Sequence, residues 1–334
     1  MQDITFVCCV ESGFLESQTL IMIESLRRWG GKYKDLPILA ITPRAGPPLS
    51  KSFKEKLSHF NVTHLSFDAK NIYSWKAFLN KHYSLAKAEE VCDTEFICWL
   101  DSDLLFLKEP DGLFLRENED FIACPVDTAG ASTGPSDPME PYWRKVCSIF
   151  DLHVESLPWV EACLERTGMR FYFNSGIFMY RRSTAMSARH LENTLKFFDM
   201  KVSSKITGSF FTQHILGLTV FEMGLNWTTL HHTHNYGAGA KILNQWVDPD
   251  NPVKPEDETF KNCKVLHYHN SMWNPHYPLL VEVLGRHHPS MAAWLRSKSA
   301  LRNEAPIFWR LWAKILKYVR ATEEASYLRQ CRVI

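Results

Sequence analysis

Phe96-Ile97-Cys98-Trp99-Leu100-Asp101-Ser102-Asp103-Leu104-Leu105-Phe106 is the stretch that decides how this chain folds. Its first five residues form an unbroken apolar run, the pattern of a strand buried on both faces in the middle of a parallel sheet. Two carboxylates one residue apart end that run, and apolar residues resume behind them. Buried carboxylates are costly unless their charge is compensated. A divalent cation at the carboxyl edge of the sheet would compensate it, and that edge is where open α/β sheets bind ligands. The pattern implies chemistry on a phosphorylated ligand held through a metal.

Spacing alone does not establish this. Fifteen aspartates in 334 residues produce roughly 0.7 Asp-x-Asp matches by chance. A second match, Asp248-Pro249-Asp250, sits between prolines with no strand before it and reads as a turn. The first match is distinguished by the strand before it and by motifs further along the chain that fit the same site.

The composition allows a large core, with 45% hydrophobic residues in one large domain or two fused ones. A net charge of +1 and scattered aromatics give no basic stripe, so no nucleic-acid partner is expected. No run is apolar enough to span a bilayer, and the first strand starts at Ile4, so neither a signal peptide nor a transmembrane span is expected. Nine cysteines without a CxxC pair suit small buried hydrophobes in a reducing, cytoplasmic compartment.

Outward from the central strand, the pattern predicts strands at Ile4–Val10, Leu36–Ile41, Val62–Phe67 and Phe121–Val126. Helices are predicted at Leu15–Trp29, up to Phe60, and at Ser74–Val91. This alternation argues for a doubly wound, mostly parallel α/β sheet with helices on both faces. The turn after the first strand reads Glu-Ser-Gly, with no GxGxxG and no GxxxxGK[ST], which argues against dinucleotide enzymes and P-loop NTPases. Thr128–Pro141, rich in Gly, Ser and Pro, reads as a mobile loop of the kind that forms lids. Helices are expected at Tyr142–Phe150 and Pro158–Arg166. Arg170–Arg181 reads as a strand pair broken at Asn174-Ser175-Gly176.

LDSD (Leu100–Asp103), ACPVD (Ala123–Asp127), FNSGIFMY (Phe173–Tyr180), FTQHIL (Phe211–Leu216) and VLHYHN (Val265–Asn270) together resemble the metal-dependent glycosyltransferases of the GT-A fold. The resemblance, to the glycogenin and bacterial galactosyltransferase group in particular, spans about residues 4 to 275. It implies a nucleotide-sugar donor, with Mn2+ or Mg2+ held by Asp103, by Asp101 (metal or ribose) and by His267. His269 shares a face with His267, since alternation puts Tyr268 opposite, and is the less favoured ligand. Asp127 would hold donor-sugar hydroxyls, or else serve as a turn residue. Asn174, Ser175 and Gly176 would line the sugar pocket, Gln213 would bond the sugar, and Lys81 and Glu11 (with Ser12) would reach the nucleotide.

Departures exist. The related retaining enzymes usually show Asp-Gln where this chain has Thr212-Gln213, which opens both stereochemistry and donor identity. SMWNP replaces a lysine and glycine after the metal histidine, leaving Asn270, Trp273, His276 or Arg286 for phosphate.

The tail Pro306–Arg320 carries Ile307, Phe308, Leu311, Trp312, Ile315, Leu316 and Val319 on one side, and Arg310, Lys314, Lys317 and Arg320 on the other. It reads either as a helix lying in a membrane interface, on the inner membrane face, or as a terminal helix packed on the core. The expected organisation is a nucleotide-binding half at 1–110, a donor-sugar and acceptor half at 111–285 and a helical tail at 286–334. The expected activity moves a sugar from a nucleoside-diphosphate sugar, with UDP favoured by resemblance, to a hydroxyl of a cell-envelope glycan or glycolipid. A non-catalytic sugar-nucleotide binder and a HAD-type phosphatase are the alternatives.

Overall fold

The computed structural model describes residues 2–203, 211–247, 258–302 and 305–333; Asp248-Pro249-Asp250 lies outside them. The first part alternates regularly: β1 (Ile4–Cys9), α1 (Phe14–Trp29), β2 (Ile38–Thr42), α2 (Lys51–His59), β3 (Val62–Ser66), α3 (Leu79–Val91), β4 (Phe96–Leu100) and β5 (Leu104–Phe106). Next come β6 (Phe121–Pro125), α4 (Glu140–Ile149), β7 (Trp159–Glu161), β8 (Gly168–Arg170), β9 (Phe173–Arg181), α5 (Met186–Asp199), β10 (Val202–Ser203) and α6 (Phe211–Glu222). The last part holds β11 (Trp227–Thr229), β12 (Tyr236–Gly237), α7 (Ala240–Val247), α8 (Glu258–Lys261), β13 (Val265–His267), α9 (Tyr277–His287), α10 (Pro289–Arg296), α11 (Ile307–Gln330) and β14 (Arg332–Val333).

Seven strands form the main sheet in the order β11-β6-β9-β4-β1-β2-β3. β4, β1, β2 and β3 run parallel, and β9 lies antiparallel between β4 and β6. All five residues of β4 are buried. Alternate residues of the strand feed the two cores: Ile97 and Trp99 on one face, Phe96, Cys98 and Leu100 on the other. A doubly covered strand needs apolar residues at every position, which is why FICWL has no polar member.

A small second sheet, β12-β13-β5, builds the site. β5 starts one residue after Asp103 and runs antiparallel to β13, pairing His267 with Leu104. The two segments that the sequence separates by more than 160 residues therefore end side by side.

Four expectations are corrected. Pro158–Arg166 is not a helix: Trp159, Val160 and Glu161 alternate exposed, buried, exposed and pair with β8. Period two prevails there because the Arg170 guanidinium covers the Trp159 ring at 4.4 Å. The predicted strand pair is one continuous strand through Asn174-Ser175-Gly176, tied to both β4 and β6. The long helix begins at Leu79, not Ser74, because Tyr73 and Trp75 are drawn into an aromatic cluster with Phe198 and Tyr327. The 128–141 loop is not a loose lid. Asp137 accepts from the backbone N–H of Thr133 (2.8 Å) and of Met139 (2.7 Å), Ser132 bonds Glu140, and Ala131 is buried.

All nine cysteines are free, and most are buried. No helix among the described residues is long and apolar enough to cross a membrane.

Candidate active site

At the carboxyl edge of β4 the Asp103 carboxylate, His267 and His269 converge, with one ligand atom of each lying within 4.8 Å of the others. His267 Nε2 stands 3.2 Å from Asp103 Oδ1, and His269 Nδ1 3.8 Å from Asp103 Oδ2. The two imidazoles stack with centroids 4.0 Å apart. His269 reaches this position because its backbone leaves the strand with φ of 49°. The strand ends at His267, so strand alternation does not extend to Tyr268, whose backbone N–H donates to the Asp103 carbonyl at 3.0 Å. The less favoured histidine thus stands in the cluster beside the favoured one.

Local structure orients each side chain. His267 Nδ1–H donates to Asn235 Oδ1 at 3.0 Å, which leaves Nε2 to face Asp103. Gly176 is required beneath the ring, since a Cβ there would sit 2.7 Å from His267 Nδ1. Burial disfavours charge on both Asp103 and His267, yet their mutual attraction wins, lowering the carboxyl and raising the imidazole. Burial and the adjacent His267 push His269 down to about 4, so its ring is neutral at pH 7. A carboxylate oxygen and imidazole nitrogens held this way fit a divalent cation; the nitrogen share favours Mn2+ over Mg2+.

Asp101 stands apart from this trio. Its Oδ1 accepts from Trp99 Nε1 at 2.7 Å and pairs with Lys81 Nζ at 2.8 Å. Lys81 also donates to the Ser175 carbonyl (2.8 Å) and hydroxyl (3.0 Å), and Asn174 Oδ1 accepts from the Gly176 N–H at 2.8 Å. The lysine therefore joins Asp101 to Ser175, two residues that the sequence had singled out separately. A cleft of about 360 Å3 opens beside them, lined by Glu11, Phe78, Asn80, Lys81, Asp101 and Asp103 among others. Glu11 is held at its edge by Arg44 (2.7 Å) and Asn80 (3.1 Å). Trp273 packs edge-on against Phe14 at 5.4 Å, another cleft residue.

Asp127 follows β6, and its Oδ1 accepts from His232 Nε2 at 2.7 Å. Gln213 Oε1 accepts from the Tyr172 hydroxyl at 2.7 Å; the Thr212 side chain lies outside the described residues. His232 and Asn235 were missed from the sequence. Both sit in the loop His231–Gly237, where no periodicity marks a residue as facing a site.

A carboxylate–imidazole cluster at the mouth of a largely parallel sheet, beside a cleft bordered by Lys81 and Asp101, suits the layout of a GT-A glycosyltransferase. Solved structures share the fold. An active-site glutamine-to-glutamate mutant of LgtC aligns at TM-score 0.50 and 11% identity, covering 92% of this chain and 99% of that one. The bifunctional glycosyltransferase WbbM aligns at TM-score 0.51 and 14% identity, covering 88% of this chain and 52% of that one. No curated protein matches the sequence significantly. Residues 6–224 match the family model of the Rhodobacterales glycosyltransferase domain, and the chain belongs to that family. It is a glycosyltransferase, which displaces both the phosphatase and the non-catalytic alternatives.

Proposed function

We propose that the chain transfers a sugar from a nucleoside-diphosphate sugar, UDP in the favoured case, to a hydroxyl of a glycan or glycolipid, with Mn2+ as cofactor. The convergence of Asp103, His267 and His269 beside the Lys81–Asp101 cleft carries this reading. A divalent cation held by these three would supply positive charge to the departing diphosphate. The remaining work falls to the protein. Asp101 and Lys81 would orient the nucleotide, while Glu11 borders its base and ribose. Asn174, Ser175, Gly176 and Gln213 would shape the sugar site, and Asp127 would accept a hydrogen bond from a sugar hydroxyl. In this division residues 1–110 bind nucleotide, 111–285 bind sugar and acceptor, and 286–334 form the tail. UDP release from a panel of UDP-hexoses, with Mn2+ or with chelator, tests the reading. Turnover that chelation leaves untouched contradicts it.

The tail supports a membrane-surface acceptor. Its helix is longer than the sequence pattern suggested; its far end docks through Tyr327 donating to the Phe198 carbonyl at 2.9 Å and through the Lys76–Glu324 ion pair at 3.8 Å, and Trp309 near its start borders a pocket with residues of α1 and α2. Ile307, Phe308, Leu311, Trp312, Ile315 and Val319 stay exposed in a segment whose charges are Arg310, Lys314, Lys317 and Arg320. Exposed apolar and cationic groups on one helix suit an anionic lipid interface on the inner membrane face. Leu311→Ser, Trp312→Ser and Ile315→Ser together should lower binding to phosphatidylglycerol vesicles more than about a hundredfold, at about 1.5–3 kcal/mol per side chain. Equal co-sedimentation of wild type and variant would remove the membrane contact.

A further inference from the structure

The loop His231–Gly237 holds both halves of the site. At one end His232 meets Asp127 at 2.7 Å; three residues on, Asn235 meets His267 at 3.0 Å. The loop is itself pinned: the His231 ring accepts from the Thr233 N–H at 3.3 Å, and His234 Nε2 accepts from the Gly112 N–H at 3.0 Å. His232 is 7% exposed, and its ring stacks on Tyr236 with centroids 4.7 Å apart and planes 26° from parallel. Little rotational freedom remains to the imidazole.

Asp127 is equally constrained. Its carbonyl accepts from the N–H groups of Leu164 (2.9 Å) and Glu165 (3.2 Å), which fixes the backbone. Oδ1 is occupied by His232. Oδ2 lies against Gly237, where a Cβ would come within 2.2 Å of it, so that oxygen has room only because residue 237 is glycine. A carboxylate with one oxygen satisfied inside the protein presents the other to a ligand in a single orientation.

We propose that His232 is a positioning residue for sugar transfer: its Nε2–H fixes Asp127 so that Oδ2 alone receives a hydroxyl of the transferred sugar or of the acceptor. This rests on the reading that Asp127 faces the sugar site. A misdirected carboxylate loses a hydrogen bond that counts most when the sugar must be held in its reacting geometry. The effect belongs in kcat more than in nucleotide affinity, since neither His232 nor Asp127 lines the Lys81–Asp101 cleft.

Three variants test it, with the UDP-hexose that wild type turns over fastest as probe, and with UDP and Mn2+ binding followed by calorimetry. His232→Phe keeps the ring on Tyr236 and removes the donor. It should lower kcat about ten- to a hundredfold, with donor KM and UDP affinity within about twofold. His232→Gln restores an N–H of similar reach and should recover kcat to within about fivefold of wild type. Wild-type kcat in His232→Phe overturns the proposal, as does a folded His232→Gln no more active than His232→Phe. If His232→Phe does not fold, the glutamine variant decides alone, because an inactive folded protein contradicts the assignment. Asp127→Asn separates the two levels. Full activity there removes the sugar-site reading itself, whereas its inactivity beside a fully active His232→Phe removes only the role of His232.

Discussion

Asp103→Ala is expected to abolish metal-dependent turnover, by a thousandfold or more in kcat/KM, equivalent to about 4 kcal/mol of lost transition-state stabilisation. Asp103 is the only carboxylate in the ligand cluster among the described residues, so alanine leaves two imidazoles and no hard anionic oxygen. The fold should survive. The side chain stands at the open end of β4, outside the apolar cores, and its main partner is His267 at 3.2 Å. Without the carboxylate, His267 loses the attraction that raises its pKa and becomes neutral, so no unpaired buried charge remains at pH 7. Matched circular dichroism spectra with turnover reduced to background is the expected pair of results. A variant that retains wild-type turnover would remove the metal from the mechanism.

Mild acid is expected to destabilise the protein strongly. His82, His190 and His214 are each about 2–3% exposed. Burial pushes His82 and His214 down to about 3, and burial with the neighbouring His82 and Lys81 pushes His190 well below its ordinary value. His82 donates to the Phe78 carbonyl at 3.1 Å and lies 4.5 Å from the His190 ring, so protonating either brings charge into an unaccommodating core. His214 is enclosed by Tyr142, Trp143 and Tyr172.

The native pKa values lie below the unfolded value near 6.5, so the unfolded chain binds more protons as pH falls past it. Stability is complete above that point and declines toward pH 3. At pH 5, His82 and His214, each near 3 in the folded protein, cost about 2 kcal/mol apiece, and His190 adds to this in the same direction, against a total stability of about 5–15 kcal/mol. His267, with its pKa raised, opposes this, whereas His234 and His269, each pushed down to about 4 by burial, add to it. Urea midpoints of metal-free protein at pH 7.5 and 5.0 should differ widely, and His214→Phe should reduce the difference. Identical midpoints would contradict the burial argument.

Much of the fold was legible because its signals are local. FICWL reads as a doubly buried strand and is one, and the glycines at 30 and 31 stop α1 where the pattern ends. Asp103 was visible as a charge terminating that strand. His267 was identifiable only through resemblance, since nothing in VLH itself requires a ligand. Errors fell where tertiary contacts overrule local pattern. Trp159 is held in a hairpin by the Arg170 guanidinium, and Trp75 leaves the helical pattern to join Tyr73 against Tyr327, more than 250 residues away in sequence. His232 and Asn235 lie in a loop whose sequence, HHTHNYG, has no period that distinguishes an inward histidine from an outward one. Asn174-Ser175-Gly176 reads as a break between two strands because Gly and Asn usually interrupt one. Here the Asn174 side chain bonds the Gly176 N–H without interrupting the strand.

Spin-echo spectroscopy of Mn2+ bound together with UDP examines the ligand set without reference to donor or acceptor. Nitrogen couplings from imidazole are expected in wild type, weakened in His267→Ala and again in His269→Ala, with Mn2+ affinity collapsing in Asp103→Ala. A bound Mn2+ showing no imidazole coupling, or one held equally well without Asp103, would place the cation elsewhere and contradict the site described above.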